Sequence, residues 1–184
     1  MDSDPSHHAR PGPPVLFLDV DGVISLFGLG PSSEHAQAPR HWIGGIAHCI
    51  PRASAGRVLR LAERYEIVWA TGWEELANEH LPAILGLPYP ELPCLTFGGR
   101  AVFGSSDWKV DAVDTYAGDR PAAWIDDNLD DSCRLWALGR HAPTLLVDTR
   151  CDVGLTDEHV DLLLFWADEV APGSRRSAES SHAF

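Results

Sequence analysis

Between residues 15 and 171 the chain alternates short apolar runs with stretches whose apolar positions recur at helical spacing. Residues 15–20 (VLFLDV) are nearly all apolar and of strand length, the pattern of a strand buried on both faces. Residues 66–70 (EIVWA), 122–125 (AAWI) and 144–147 (TLLV) repeat it, and a weaker strand is expected over 94–97. Helical spacing predicts helices over 53–64, 73–85, 108–117, 129–139 and 156–170, the second broken near Pro82 and the last capped by Thr156. Strands that alternate with helices in this way predict an α/β fold, a parallel sheet with helices on both faces. The pattern stops at both ends: residues 1–14 and 172–184 are polar or rich in small residues and Pro, and are expected to be disordered tails around one domain, 15–171.

Three of the expected strands end in polar clusters: Asp19 with Asp21, Thr71 with Gly72, and Asp126 with Asp127. In an open parallel sheet all carboxyl ends lie along one edge, where ligands bind, so residues far apart in sequence are expected to meet there. Asp19, Asp126 and Asp127 together would repel unless a cation sits among them, and an all-oxygen site completed by water suits Mg²⁺. Such a cation would admit a phosphate dianion, which a carboxylate can attack, while an acid two residues on can move the proton. Gly22 leaves the turn free for backbone N–H groups to face phosphoryl oxygens. The DxDG tetrapeptide is equally compatible with a plain turn or a fragment of a calcium loop. Thr71 offers a hydroxyl beside Gly72, and it also suits the N-cap of the next helix. Asp127, Asn128, Asp130 and Asp131 suit the cap of a helix and complement its dipole, whereas Asp126, at the strand end itself, is the best placed metal ligand and Asp127 the second.

Composition sharpens the picture at one residue. The chain holds thirteen Arg and a single Lys, Lys109, which lies between the second and third polar clusters. A compact ammonium can reach between a carboxylate and a phosphoryl oxygen where a planar guanidinium does not fit. The net charge of −13 argues against docking along duplex nucleic acid or an anionic membrane. Four scattered cysteines show neither CxxC pairs nor zinc spacing and are expected as free thiols. With no secretory pattern and no apolar run of the roughly 18 residues that span a bilayer, a reducing cytoplasm is the expected location.

The four segments FLDVDGV, VWATGW, the Lys109 region and WIDDNLDD, in that order, resemble the motifs of the haloacid dehalogenase (HAD) superfamily over roughly residues 15–150. The resemblance implies a three-layer Rossmann-like fold and a phosphatase acting through an aspartyl-phosphate. Asp19 would be the nucleophile, Asp21 the acid and base, Thr71 the phosphate-binding hydroxyl and Lys109 the charge partner. Mg²⁺ would be held by Asp19, the Asp21 main-chain carbonyl and Asp126, with the division between Asp126 and Asp127 left open because no Gly precedes the first Asp of the fourth motif. The acid at position 21 favours phosphoryl transfer over carbon–halogen chemistry, since dehalogenase members lack it. The wording VWATGWEELANEHL also resembles stand-alone HAD domains related to those of multi-domain RNA-repair proteins, which implies a nucleic-acid-end 3′-phosphatase as an alternative. A non-catalytic phosphoryl-binding domain on the same fold is the rival from another class. No P-loop motif (GxxxxGK followed by Ser or Thr) is present, so a P-loop kinase is not encoded in these residues. Residues 25–52 give room for a flap or hairpin and not for a folded cap, so the cap is expected to be minimal. Substrate contacts are expected from Gly22, Gly72 and Trp73. Trp108, Trp42, His41 and His48 are further candidates whose alternative is ordinary packing.

Overall fold

The computed structural model describes residues 12–28, 37–98, 100, 102 and 104–172. Four parallel strands form the sheet: β1 (Val15–Leu18), β4 (Glu66–Trp69), β5 (Ala122–Asp126) and β6 (Thr144–Asp148), in the order β4-β1-β5-β6. Strands β2 (Arg40–Ile43) and β3 (Ile46–Cys49) make a separate antiparallel hairpin within the segment expected to be a flap. Helices α1 (Ala53–Ala62), α2 (Leu76–Leu85), α3 (Val110–Ala117), α4 (Asp131–Gly139) and α5 (Asp157–Val170) make the connections. A 3₁₀ turn, Asp107–Lys109, leads into α3.

The alternation of side chains along each strand sorts the helices into two layers. Leu16, Leu18, Ile67, Trp69, Ala123 and Ile125 point to the face covered by α1, α2 and α5, where Val58, Leu61, Leu81, Val160 and Leu163 are fully buried. Val15, Phe17, Val68, Ala122 and Trp124 point to the opposite face and pack on Val113, Ala117 and Cys133 of α3 and α4. This is the three-layer Rossmann-like arrangement that the motif resemblance implies. Polar groups tie the layers together. The Tyr65 hydroxyl donates to the Leu163 carbonyl at 2.6 Å, and Arg57 donates to the Leu155 carbonyl at 2.7 Å and to Asp157 at 2.9 Å. The four cysteines are free thiols. No helix among the described residues is long and apolar enough to cross a membrane.

Several elements differ from expectation for identifiable reasons. The strand expected over 94–97 reduces to a single parallel bridge between Trp69 and Cys94, beside the β4 edge. Pro82 sits inside α2 without breaking it, in the last turn before Gly86 ends the helix in a left-handed conformation. Helix α4 begins later than its apolar pattern suggests, because Asp130 caps it by accepting from the Ser132 and Cys133 N–H groups. Thr156 caps α5 as expected, with His159 completing a reciprocal capping box. Apart from 12–14 and 172, the expected tails lie outside the described residues.

Gly154 joins the β6 end to the turn after β1. Its φ is +71°, and a Cβ there would come within 2.4 Å of Leu26 and 2.6 Å of the Val23 carbonyl oxygen. Gly154→Ala is expected to lower stability by about 2 kcal/mol through backbone strain and displacement of the β1 turn, read as a lower denaturation midpoint in urea.

Candidate active site

β1 delivers Asp19 to the carboxyl edge of the sheet. The Asp19 N–H donates to the Ile125 carbonyl at 3.1 Å, which holds the residue in strand register one position past Leu18. The chain then folds sharply: the Ile24 and Ser25 N–H groups both donate to the Val20 carbonyl at 2.8 Å. Gly22, with φ +73°, lies so close to Asp127 that a Cβ would meet its carboxyl carbon at 2.3 Å. The requirement for glycine here is therefore both conformational and steric. Thr149 locks the turn from β6 by donating its hydroxyl to the Gly22 carbonyl at 2.9 Å.

The 3₁₀ turn before α3 places Lys109 between two strand ends. Its ammonium lies 3.0 Å from Asp19 Oδ2 and 2.7 Å from Asp126 Oδ2, with all three side chains buried. Both Asp126 oxygens are engaged: Oδ1 accepts from the Ser106 hydroxyl at 2.7 Å and the Asn128 N–H at 2.9 Å, and Oδ2 from Lys109. Asp19 Oδ1 accepts from the Val20 N–H at 2.7 Å. Asp127 is half-buried, accepts through Oδ1 from the Asn128 amide at 2.6 Å, and turns Oδ2 toward Gly22. Asp19, Asp126 and Asp127 each bring an oxygen within 4.8 Å of the others.

One ammonium does not balance these acids. Burial pushes Asp19 up to about 7; Lys109 opposes the rise and Asp126 adds to it. Asp127 is pushed up to about 6, first by burial and then by Asp126. Burial works against charge on Lys109 as well, but Asp19 and Asp126 beside it carry its pKa above the ordinary lysine value. Carboxylates packed at this density, in excess of their one cationic partner, suit a divalent cation bound through oxygen.

Asp21 stands apart from this cluster, half-exposed at its mouth. Its Oδ2 accepts from the Trp73 indole N–H at 2.8 Å, and its Oδ1 lies 3.9 Å from His48 Nδ1 on the hairpin. His48 also shares a hydrogen bond with the Ser25 hydroxyl at 2.9 Å and packs edge-on against Trp73, their ring centroids 4.5 Å apart. Burial holds the His48 pKa down, with Asp21 opposing. Thr71 is buried and its Oγ1 accepts from the Trp73 N–H at 3.3 Å; it does not cap α2, which begins only at Leu76. The Trp108 indole N–H donates to the Ser105 carbonyl at 2.9 Å.

Eight of the residues singled out from the sequence line one open cleft of about 440 Å³: Asp19, Asp21, Thr71, Gly72, Trp73, Lys109, Asp126 and Asp127; Gly22 is not among its lining residues. Trp108 and His48 line it too, whereas Trp42 is exposed on the hairpin and His41 is half-buried there, neither among the lining residues. The sequence reading missed Ser106 and Ser25, and it treated Asn128 only as a cap. The Ser106 hydroxyl sits three residues before Lys109 on the same tight turn, a spacing that could have drawn attention to it. Nothing in the local sequence joins Ser25 and His48 to Asp21, because that contact depends on how the hairpin docks.

No protein of curated function matches the chain. A family described as the HAD domain in Swiss Army Knife RNA repair proteins matches residues 15–160, a span that contains every side chain of the cleft. The strand order, the buried acid cluster at the sheet edge and this match agree, and the chain belongs to that HAD domain family.

Proposed function

We infer that this domain is a Mg²⁺-dependent phosphomonoesterase that works through an aspartyl-phosphate on Asp19. The observation that carries the reading is the buried Lys109 ammonium shared by Asp19 and Asp126 at the floor of an open cleft. It opposes the protonation that burial favours at Asp19, and leaves that carboxyl group lining the cleft where a substrate can reach it. Asp19 and Asp127, with the Asp21 main-chain carbonyl, would hold Mg²⁺. Asp126 already meets three protein donors and serves chiefly to hold Lys109. The cation would supply charge neutralisation for an incoming phosphate dianion.

In this mechanism an Asp19 oxygen forms a bond to phosphorus as the bond from phosphorus to the leaving oxygen breaks. Asp21 acts as the general acid and gives a proton to that oxygen. A water molecule then attacks the phosphorus of the aspartyl-phosphate, loses its proton to Asp21, and releases inorganic phosphate with Asp19 restored. The Thr71 hydroxyl and the Lys109 ammonium stabilise the phosphoryl oxygens while charge redistributes. Trp73 and His48 hold the Asp21 carboxylate at the mouth, on the side from which the leaving group departs. A non-catalytic phosphoryl binder would have no use for this orientation of Asp21. The family description supports a second substrate reading, a 3′-phosphorylated nucleic-acid end, against which stands the net charge of −13. Four free thiols fit a reducing compartment such as the cytoplasm.

Asp19→Asn is expected to lower turnover of phosphomonoesters by roughly 10³-fold or more, and a chelator should abolish it until Mg²⁺ is restored. A chelator-treated enzyme that retains full activity would remove the metal from the account. Trp73→Phe tests the tether on Asp21 separately. It should lower kcat about tenfold on an alkyl phosphate, whose leaving oxygen needs a proton, and barely change turnover of 4-nitrophenyl phosphate, whose leaving group does not. Equal losses on both esters would mean that the indole acts only through packing.

A further inference from the structure

The walls of the cleft differ in kind from its floor. Phe27 from the turn after β1, Ile46 from the hairpin and Val102 from the loop before the 3₁₀ turn all reach the same opening, and all stay largely exposed, at 45 %, 64 % and 57 %. Large apolar side chains gathered at one mouth from three separate segments mark a surface that a ligand covers. Two indoles join them, and both are held rigidly. Trp73 is tied to Asp21 and edge-packed by His48, and Trp108 is tied to the Ser105 carbonyl and edge-packed by Phe97 with centroids 4.7 Å apart. Fixed aromatic rings offer stacking area with little entropy left to lose.

The charge on the lining points the same way. Its acids are Asp19, Asp21, Asp126 and Asp127. Among the described residues that line the cleft, Lys109 is the one Lys or Arg, and two carboxylates already hold it. Arg40 of the hairpin and Arg100 of the nearby loop do not line the cleft. A second phosphate on the substrate would therefore face apolar surface or carboxylate with no cation to meet it.

We propose that the cleft selects phosphomonoesters whose leaving group is a single uncharged ring system, such as a nucleoside, and discriminates against substrates that carry a second phosphate. This rests on the phosphatase reading above and adds the class of leaving group. The phosphate enters first, to the floor of Asp19, Thr71 and Lys109. The ring then lies against Phe27, Ile46 and the two indoles, and covers the apolar mouth.

The test compares kcat/KM of the full chain with Mg²⁺ on four esters: adenosine 3′-monophosphate, glycerol 2-phosphate, adenosine 3′,5′-bisphosphate and a 3′-phosphorylated oligonucleotide. The mononucleotide should exceed each of the others by about tenfold, within the range of one ring stacked on aromatic side chains. Phe27→Ala and Ile46→Ala, which remove no group that takes part in the proposed chemistry, should each lower the mononucleotide value about fivefold and leave glycerol 2-phosphate unchanged. Ile46 is exposed, so its variant reads the cleft even if Phe27→Ala disturbs the turn. Equal or faster turnover of the bisphosphate or the oligonucleotide overturns the proposal, as does an equal loss on every ester in both variants. Turnover of all four esters without preference removes this inference and leaves the phosphatase; turnover of none removes both.

Discussion

The Lys109 ammonium between Asp19 and Asp126 is the interaction on which the rest of the site depends. Three charged groups are buried together there, and removing one from such a set strands the others at a cost of about 3–5 kcal/mol. The fold meets that requirement from three directions: β1 supplies Asp19, β5 supplies Asp126, and the 3₁₀ turn before α3 supplies the lysine. Ser106 and the Asn128 N–H complete the hydrogen bonding of Asp126, so the pair is supported and not merely close. The excess of carboxylate over ammonium that remains would draw a cation to the site and, through it, the phosphate of the proposed substrate.

Geometry follows from the sheet. Leu18 pairs with Ile125 in a parallel register, so the next residues of β1 and β5 emerge side by side at the carboxyl edge. Asp19 and Asp126 meet because both strands end at the same height, and Thr71 joins them because Leu18 also pairs with Trp69 on the other side. The hairpin adds what the sheet cannot: His48 approaches Asp21 from outside the edge, and Ile46 contributes to the wall. A chemically demanding floor thus lies on rigid strands, and the surface proposed to meet the leaving group is carried by loops and a hairpin.

Much of this was legible in the sequence, because parallel strands buried on both faces leave unmistakable apolar runs and because their polar ends must share an edge. The positions of Asp19, Thr71 and Asp126 followed from that rule alone, and Lys109 stood out by being the chain's single lysine. Boundaries set by local hydrogen bonds were less legible: Asp130 delays α4, and the 94–97 segment pairs with Trp69 through one bridge where apolar content suggested a strand. The partners of Asp21 were not legible at all. The Trp73 indole reaches it across fifty-two residues of sequence and His48 reaches it from a hairpin, and no periodicity encodes either approach.

The central claim is that Asp19, made reactive by its buried ammonium, takes up the phosphoryl group itself. Borohydride reduction of the enzyme during turnover, followed by peptide mass spectrometry, tests it directly, since an aspartyl-phosphate is reduced to homoserine whereas a free carboxylate is untouched. The account predicts homoserine at position 19, dependent on substrate and Mg²⁺. Turnover with Asp19 unmodified, or with the label at another carboxylate, would contradict it.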